Sequence, residues 1–139
     1  MKTLADLIAQ IESTNDPFAL RYEPKHKPSM RFVDRMVKIC ACSEATATML
    51  CMTSFGLYQI MGDELMSLGL SISPMQYLSE PDLQLTMFTD FVDQNKIDFP
   101  LVSLKDEATR MHFARVYNGP GNPQAYADKI MAWLIRWEV

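Results

Sequence analysis

The chain has 139 residues, 48% of them hydrophobic and 22% charged, with a formal net charge of −4 and a pI near 5.1. Those values describe a globular domain spanning residues 1–139, with a core of its own, and exclude a disordered chain. The acidic balance and the lack of a dense Lys/Arg stripe argue against a nucleic-acid partner, and no window of about 20 apolar residues offers a membrane span. Cys40, Cys42 and Cys51 are odd in number and match no zinc spacing, so they read as reduced thiols, and neither a metal nor any other cofactor is expected. Most of the eleven methionines read as core fillers. The first residues lack the apolar stretch and cleavage site of a signal peptide, so synthesis in the cytoplasm is expected.

In chain order, Thr3 caps a first helix whose Leu4, Leu7, Ile8 and Ile11 recur at helical spacing; Asn15-Asp16-Pro17 ends it just beyond Glu12. Phe18 to Pro24 reads as a short strand or an extended loop, and Lys25 to Ser29 as loop. Met30 to Cys40 is a helix with Phe32, Val33, Met36, Val37 and Cys40 on one side, and Ser43-Glu44 starts another through Met52. Two glycines between Thr53 and Gly62 mark a tight backbone passage into a short helix. Ser73-Pro74 opens a further helix. Ser79 with Pro81 and Asp82 opens the next, with Leu85, Phe88 and Val92 inward. Leu104 to Tyr117 forms a helix stopped by Asn118-Gly119-Pro120-Gly121. After Asn122-Pro123, a last amphipathic helix carries Tyr126, Ile130, Trp133, Leu134 and Trp137. The sum is a mainly α protein of about seven short helices with little or no β structure.

Three element boundaries carry unusual chemistry. Glu12 ends a helix, where the negative end of the macrodipole disfavours its charged form, and burial would raise its pKa further. A carboxylic acid kept protonated near neutrality can protonate a glycosidic oxygen; the bland alternative is an exposed glutamate in a frayed last turn. In Ser54-Phe55-Gly56-Leu57-Tyr58-Gln59, Gly56 permits close backbone approach to a ligand, Gln59 offers an amide suited to an N-acetyl group, and Phe55 or Tyr58 could stack on a sugar. The same stretch also reads as a buried turn with an ordinary glutamine. Tyr117-Asn118, before a Gly-Pro-Gly turn on a cleft wall, offers a phenol to hold a catalytic carboxyl; it also reads as a plain helix stop with a core tyrosine.

Taken together and in order, these segments resemble the lysozyme-like lytic transglycosylases and, closely, phage N-acetylmuramidase endolysin domains. Glu12-Ser13 matches the Glu-Ser pair at a helix end. Gly56-Leu57-Tyr58-Gln59, with Ser54 before it, matches Gly-Leu-x-Gln. Val116-Tyr117-Asn118 matches Ala-Tyr-Asn. Tyr58 stands where methionine is usual and Val116 where alanine is, and residues 25–52 separate the first two motifs by more than in short members. The resemblance covers about residues 4 to 135 and implies a lysozyme-like fold with a substrate cleft.

It also implies cleavage of the β-1,4 bond between N-acetylmuramic acid and N-acetylglucosamine in peptidoglycan. Glu12 would be the acid/base, Ser13, Ser54, Gly56, Leu57, Tyr58, Gln59 and Asn118 would contact or position substrate, and Tyr117 would orient Glu12. The implied partner is the glycan strand, met by a monomer delivered to the cell wall by phage lysis or virion machinery, without membrane insertion. One carboxyl suffices for a transglycosylase, which closes a 1,6-anhydro ring and is the favoured reading. A hydrolytic muramidase usually needs a second carboxylate; Asp16, Glu23, Asp63 and Glu64 are available and Glu23 is the preferred candidate, though it also reads as an ion-paired surface residue. A structural or glycan-binding part of a virion or secretion machine would keep the cleft without cutting. His26 and His112 lack the partners of a nucleophilic triad.

Overall fold

In the computed structural model, which describes residues 1–68 and 72–139, the first apolar stripe forms helix α1 (Leu4–Ser13). Thr3 Oγ1 accepts from the Asp6 N–H at 3.2 Å while Asp6 Oδ2 accepts from the Thr3 N–H at 2.8 Å, a reciprocal cap that fixes the start. Leu4, Leu7, Ile8 and Ala9 are buried, and the helix packs on α6 (Pro81–Gln94) and α8 (Pro123–Arg136). Burial of a Leu or Ile side chain contributes about 1.5–3 kcal/mol, so this stripe anchors the residues that follow it. Thr14 and Asn15 then both adopt left-handed backbone, φ 54° and 62°. That sharp reversal sends the chain into the sheet immediately after Glu12 and Ser13.

The sheet has three short antiparallel strands in the order β1 (Leu20–Tyr22), β2 (Thr53–Phe55), β3 (Ile60–Met61). Its register pairs Arg21 with Ser54 and Ser54 with Met61 in one row, and Leu20 with Phe55 and Phe55 with Ile60 in the next. Side chains of successive residues point to opposite faces, so the two rows look in opposite directions. Between β2 and β3, Gly56 has φ 76°, and a Cβ there would lie 2.3 Å from Gln84 Oε1.

Helices α2 (Met30–Cys40) and α3 (Glu44–Cys51) fill the long interval between the first two motifs and pack on each other and on α4 (Gly62–Ser67). Ser29 and Ser43 cap them through their hydroxyls. Helix α4 starts at a glycine because a Cβ on Gly62 would meet the Leu50 carbonyl oxygen at 2.0 Å. Ser73 caps α5 (Pro74–Ser79), with Pro74 in the first turn as expected.

Three details depart from expectation. Helix α6 is flanked by Glu80 rather than Ser79, and its inner face is Gln84, Met87, Phe88 and Val92; Leu85, one position past the buried Gln84, is 44% exposed. The helix expected from Leu104 is a 3-10 turn (Leu101–Lys105) followed by α7 (Glu107–Asn118). Asp106 divides the two by accepting from the N–H and hydroxyl of Thr109 at 2.9 and 2.8 Å. Only some of the methionines fill the core: Met36, Met66 and Met87 are buried, whereas Met1, Met30, Met49 and Met75 are exposed.

Asn122 caps α8, whose Tyr126, Ala127, Ile130 and Leu134 are buried against the core. The three cysteines are free thiols. Among the described residues no helix is long and apolar enough to cross a membrane. The fold is mainly α with one small sheet, the lysozyme-like class that the sequence implies.

Candidate active site

A cleft of about 730 Å³ opens where the end of α1, the sheet, the β1–α2 loop and the α7–α8 turn converge. The sheet register makes one wall: Arg21, Ser54 and Met61, a single cross-strand row, all line it, and Glu23 follows Arg21 at the next same-face position. Lys25 and His26 extend that wall. Tyr117 and Asn118, ending α7, and Pro120 and Gly121 of the turn make the opposite one. Glu12 enters from the last turn of α1.

The Glu12 carboxyl is half-buried, and desolvation raises its pKa from 4.5 to about 6. A hydrogen bond from Tyr126, whose hydroxyl donates to Glu12 Oε2 at 3.2 Å, works in the opposite direction, as do the charges of Arg21 and Lys129, while Glu23 adds a small upward push. The carboxyl is thus an acid poised near neutrality and fixed in rotamer.

Tyr126, not Tyr117, holds Glu12. The Tyr117 hydroxyl donates instead to the Tyr58 carbonyl at 2.6 Å, and its ring stacks on Phe113 with centroids 5.4 Å apart. Tyr117 therefore ties the cleft wall to the β2–β3 turn, and Tyr126, which the sequence presents only as part of an apolar face, takes the carboxyl. Burial pushes both phenols well above their ordinary pKa, so both stay protonated donors.

Of the residues expected to contact substrate, Glu12, Ser54, Gln59, Tyr117 and Asn118 line the cleft, together with Glu23. Ser13, Gly56, Leu57 and Tyr58 stand behind it, and each has a structural partner. Ser13 Oγ donates to the carbonyls of Leu57 and Ala9 at 2.8 and 3.1 Å, clamping α1 to the β2–β3 turn. Gly56 makes room for the buried side chain of Gln84 rather than for a ligand. Leu57 N–H donates to Gln84 Oε1 at 2.8 Å. Tyr58 is buried and stacks on Phe88 at 4.4 Å, and Phe55 is buried too, so neither offers a face to a sugar.

Gln59 lines the cleft, yet its amide is committed. Its oxygen accepts from Ser54 Oγ at 2.7 Å, and its NH2 donates to the Gly56 and Ala19 carbonyls at 2.9 and 3.1 Å. Both amide hydrogens are used within the fold. The Gly-Leu-x-Gln segment thus acts mainly by locking the sheet turn into which the cleft is cut.

Gln84 completes that lock and carries no sequence signal. From α6 its amide nitrogen donates to the carbonyls of Pro17 and Tyr77 at 2.9 and 3.2 Å while its oxygen serves Leu57. Arg21, whose Nε donates to Glu23 Oε1 at 2.7 Å, supplies the ion pair of the alternative reading of Glu23; missed altogether is His26, whose Nε2 lies 2.5 Å from Asp63 Oδ2. Charge alternation in Arg21-Tyr22-Glu23 is the one local hint of the Arg21–Glu23 pair. His26 and Asp63 are 37 residues apart in sequence.

The family described as Muramidase, N-acetylmuramidase, matches residues 8–138. The endolysin of Enterobacteria phage PRD1 is 31% identical over 140 aligned positions, spanning 93% of this chain and 92% of that protein. No solved structure matches. A family match across almost the whole chain and this degree of identity to an endolysin agree with the acid-bearing cleft: the chain belongs to the N-acetylmuramidase family, as an endolysin-like glycosidase of peptidoglycan.

Proposed function

We propose that the protein hydrolyses the β-1,4 bond between N-acetylmuramic acid and N-acetylglucosamine, with Glu12 as general acid and Glu23 as the second carboxylate. The observation that carries this reading is the half-buried Glu12 carboxyl, raised to about 6 and restrained by Tyr126, at the edge of a cleft large enough for sugar residues. Protonated Glu12 gives its proton to the glycosidic oxygen as the bond to the muramic C1 breaks. Water adds to C1, and its proton passes to the Glu23 carboxylate, which Arg21 orients through its Nε at 2.7 Å. Proton exchange with solvent resets both groups. Acid/base action of this kind supplies about 10²–10⁴-fold, and the remainder must come from substrate binding and ring distortion.

Ring closure by a lytic transglycosylase is the second reading. It needs Glu12 alone, which would return as base for the muramic C6 hydroxyl. The presence of Glu23 in the same cleft, close enough to influence Glu12, favours hydrolysis, as does membership among muramidases. The products decide: mass analysis of muropeptides released from purified sacculi yields reducing ends for hydrolysis and 1,6-anhydro ends, lighter by one water, for ring closure. Release of no muropeptide by the parent protein across pH 4 to 8 would leave a glycan-binding role in a virion or secretion machine instead. Synthesis in a phage-infected cytoplasm and action on the cell wall complete the proposal.

A further inference from the structure

The charges of this acidic protein are segregated. Residues 21–38 hold six Lys/Arg against two carboxylates, a net of +4, whereas the rest of the chain holds seven against fifteen, a net of −8. Arg21 pairs with Glu23. Among the described residues, Lys25, Lys27, Arg31, Arg35 and Lys38 have no carboxylate oxygen within 4 Å. All but Arg35 are exposed, and Arg35 is partly so. Like charges left unpaired beside one another repel, a modest cost that a chain rich in Asp and Glu could easily avoid.

The array has a direction. Lys25 lines the cleft, Lys27 follows it on the loop, and Arg31, Arg35 and Lys38 fall on one face of α2 at spacings of four and three. The opposite face of α2 buries Val33 and Met36 against α3 and α4. Eleven helical residues extend about 17 Å, so the cations run in chain order from Lys25 in the cleft wall through the loop and along one face of α2. What leaves a cleft that holds a glycan strand is the rest of that strand, and its muramic acid residues carry peptides bearing free carboxylates. An anionic membrane surface would meet the same charges but gives no reason for the array to start inside the cleft.

We propose that Lys27, Arg31, Arg35 and Lys38, continuing from Lys25, form a docking ridge for the carboxylate-bearing peptides of the strand being cut. This rests on the glycan-cleaving reading of the cleft, and it assigns a role to the α2 segment that lengthens the interval between the first two motifs. The ridge raises the local concentration of substrate and is screened by salt.

The test is binding, measured in a Glu12→Gln background so that nothing is digested. Lys27, Arg31, Arg35 and Lys38 are changed together to Gln, and a companion variant carries Arg31→Lys and Arg35→Lys. Co-sedimentation uses intact sacculi and sacculi stripped of peptides by an amidase, with the lactyl carboxylates this exposes capped as methylamides so that the stripped glycan carries no charge from them. At an ionic strength of about 0.02 M, the Gln variant should bind intact sacculi about tenfold more weakly, lose most of its salt dependence, and bind stripped glycan as before. The Lys companion should behave as the parent. Equal weakening on both substrates, or none on intact sacculi, overturns the proposal. So does an affinity for phosphatidylglycerol vesicles that the Gln variant alone loses while its sacculus binding is unchanged, which assigns the ridge to lipid. A parent protein that binds in this way yet releases no muropeptide would refute the cutting reading and leave the ridge intact.

Discussion

Replacing Glu12 with glutamine should stabilise the fold above pH 6 while it abolishes the chemistry. The carboxyl has an ordinary pKa of 4.5 and a folded value of about 6, set first by desolvation. Between those values the folded chain holds more of this proton than the unfolded chain does, so stability falls as pH rises through that window and is level beyond it. The full cost of ionising Glu12 in place is about 2 kcal/mol, at about 1.4 kcal/mol per pH unit, and solvent contact at the cleft makes that an upper bound. The substituted amide has no proton to lose and can still accept from Tyr126. The variant's advantage over the parent should therefore grow by up to about 2 kcal/mol between pH 4 and pH 7.5. For a chain of this size that corresponds to about 7 °C in Tm. Urea unfolding of both proteins at half-unit pH intervals measures it, with equal m values as the check that only stability changes. A difference in stability that is flat with pH, or that shrinks as pH rises, would refute the claim that Glu12 is held as a desolvated acid. With it would go the reason for assigning this residue the proton.

The other predictions test the supports around that carboxyl. Tyr126→Phe removes a bond that lowers the Glu12 pKa, so the alkaline limb of kcat/KM should move above its parental position near pH 6; the rate at the optimum should fall about 10- to 100-fold as the carboxyl loses its restraint. Tyr117→Phe, which loses a bond to the Tyr58 carbonyl, should leave that limb in place; a shift with Tyr117→Phe and none with Tyr126→Phe would reverse the assignment. Gly56→Ala forces a Cβ against Gln84 in left-handed backbone and should cost about 2–4 kcal/mol in urea unfolding. Thr14→Gly, at φ 54°, should instead gain about 1 kcal/mol by the same measurement, because a β-branched residue is strained there and glycine is not.

What could be read from the sequence, and what could not, divides at the range of the interactions. The caps at Thr3, Ser43 and Ser73 act over three residues and are legible as they stand, whereas Ser29, which reads as the end of a loop, caps α2 through its hydroxyl. So is the placement of Glu12 at a helix end, since the stripe before it and the breaker after it are both local. Alternation along β1 puts Arg21 and Glu23 on one face, but only the register against Ser54 and Met61 makes that face a cleft wall. Gln84 serves Pro17, 67 residues away, and nothing near either residue announces it. The choice between the two tyrosines is finer still. Tyr117 and Tyr126 lie on adjacent packed helices with ring centroids 6.3 Å apart. Which hydroxyl meets Glu12 is thus settled by how α7 and α8 dock, within a shift of about one ring. A buried tyrosine needs a partner for its hydroxyl, and that rule correctly demands a bond for each of them; it cannot say which. The position of the Glu12 carboxyl is therefore specified locally, whereas its orientation, and with it the pKa that the proposed mechanism uses, belongs to the packing of the last two helices. Substitutions at buried Ile130 or Leu134 that let α8 shift should accordingly disturb the pH profile before they unfold the protein.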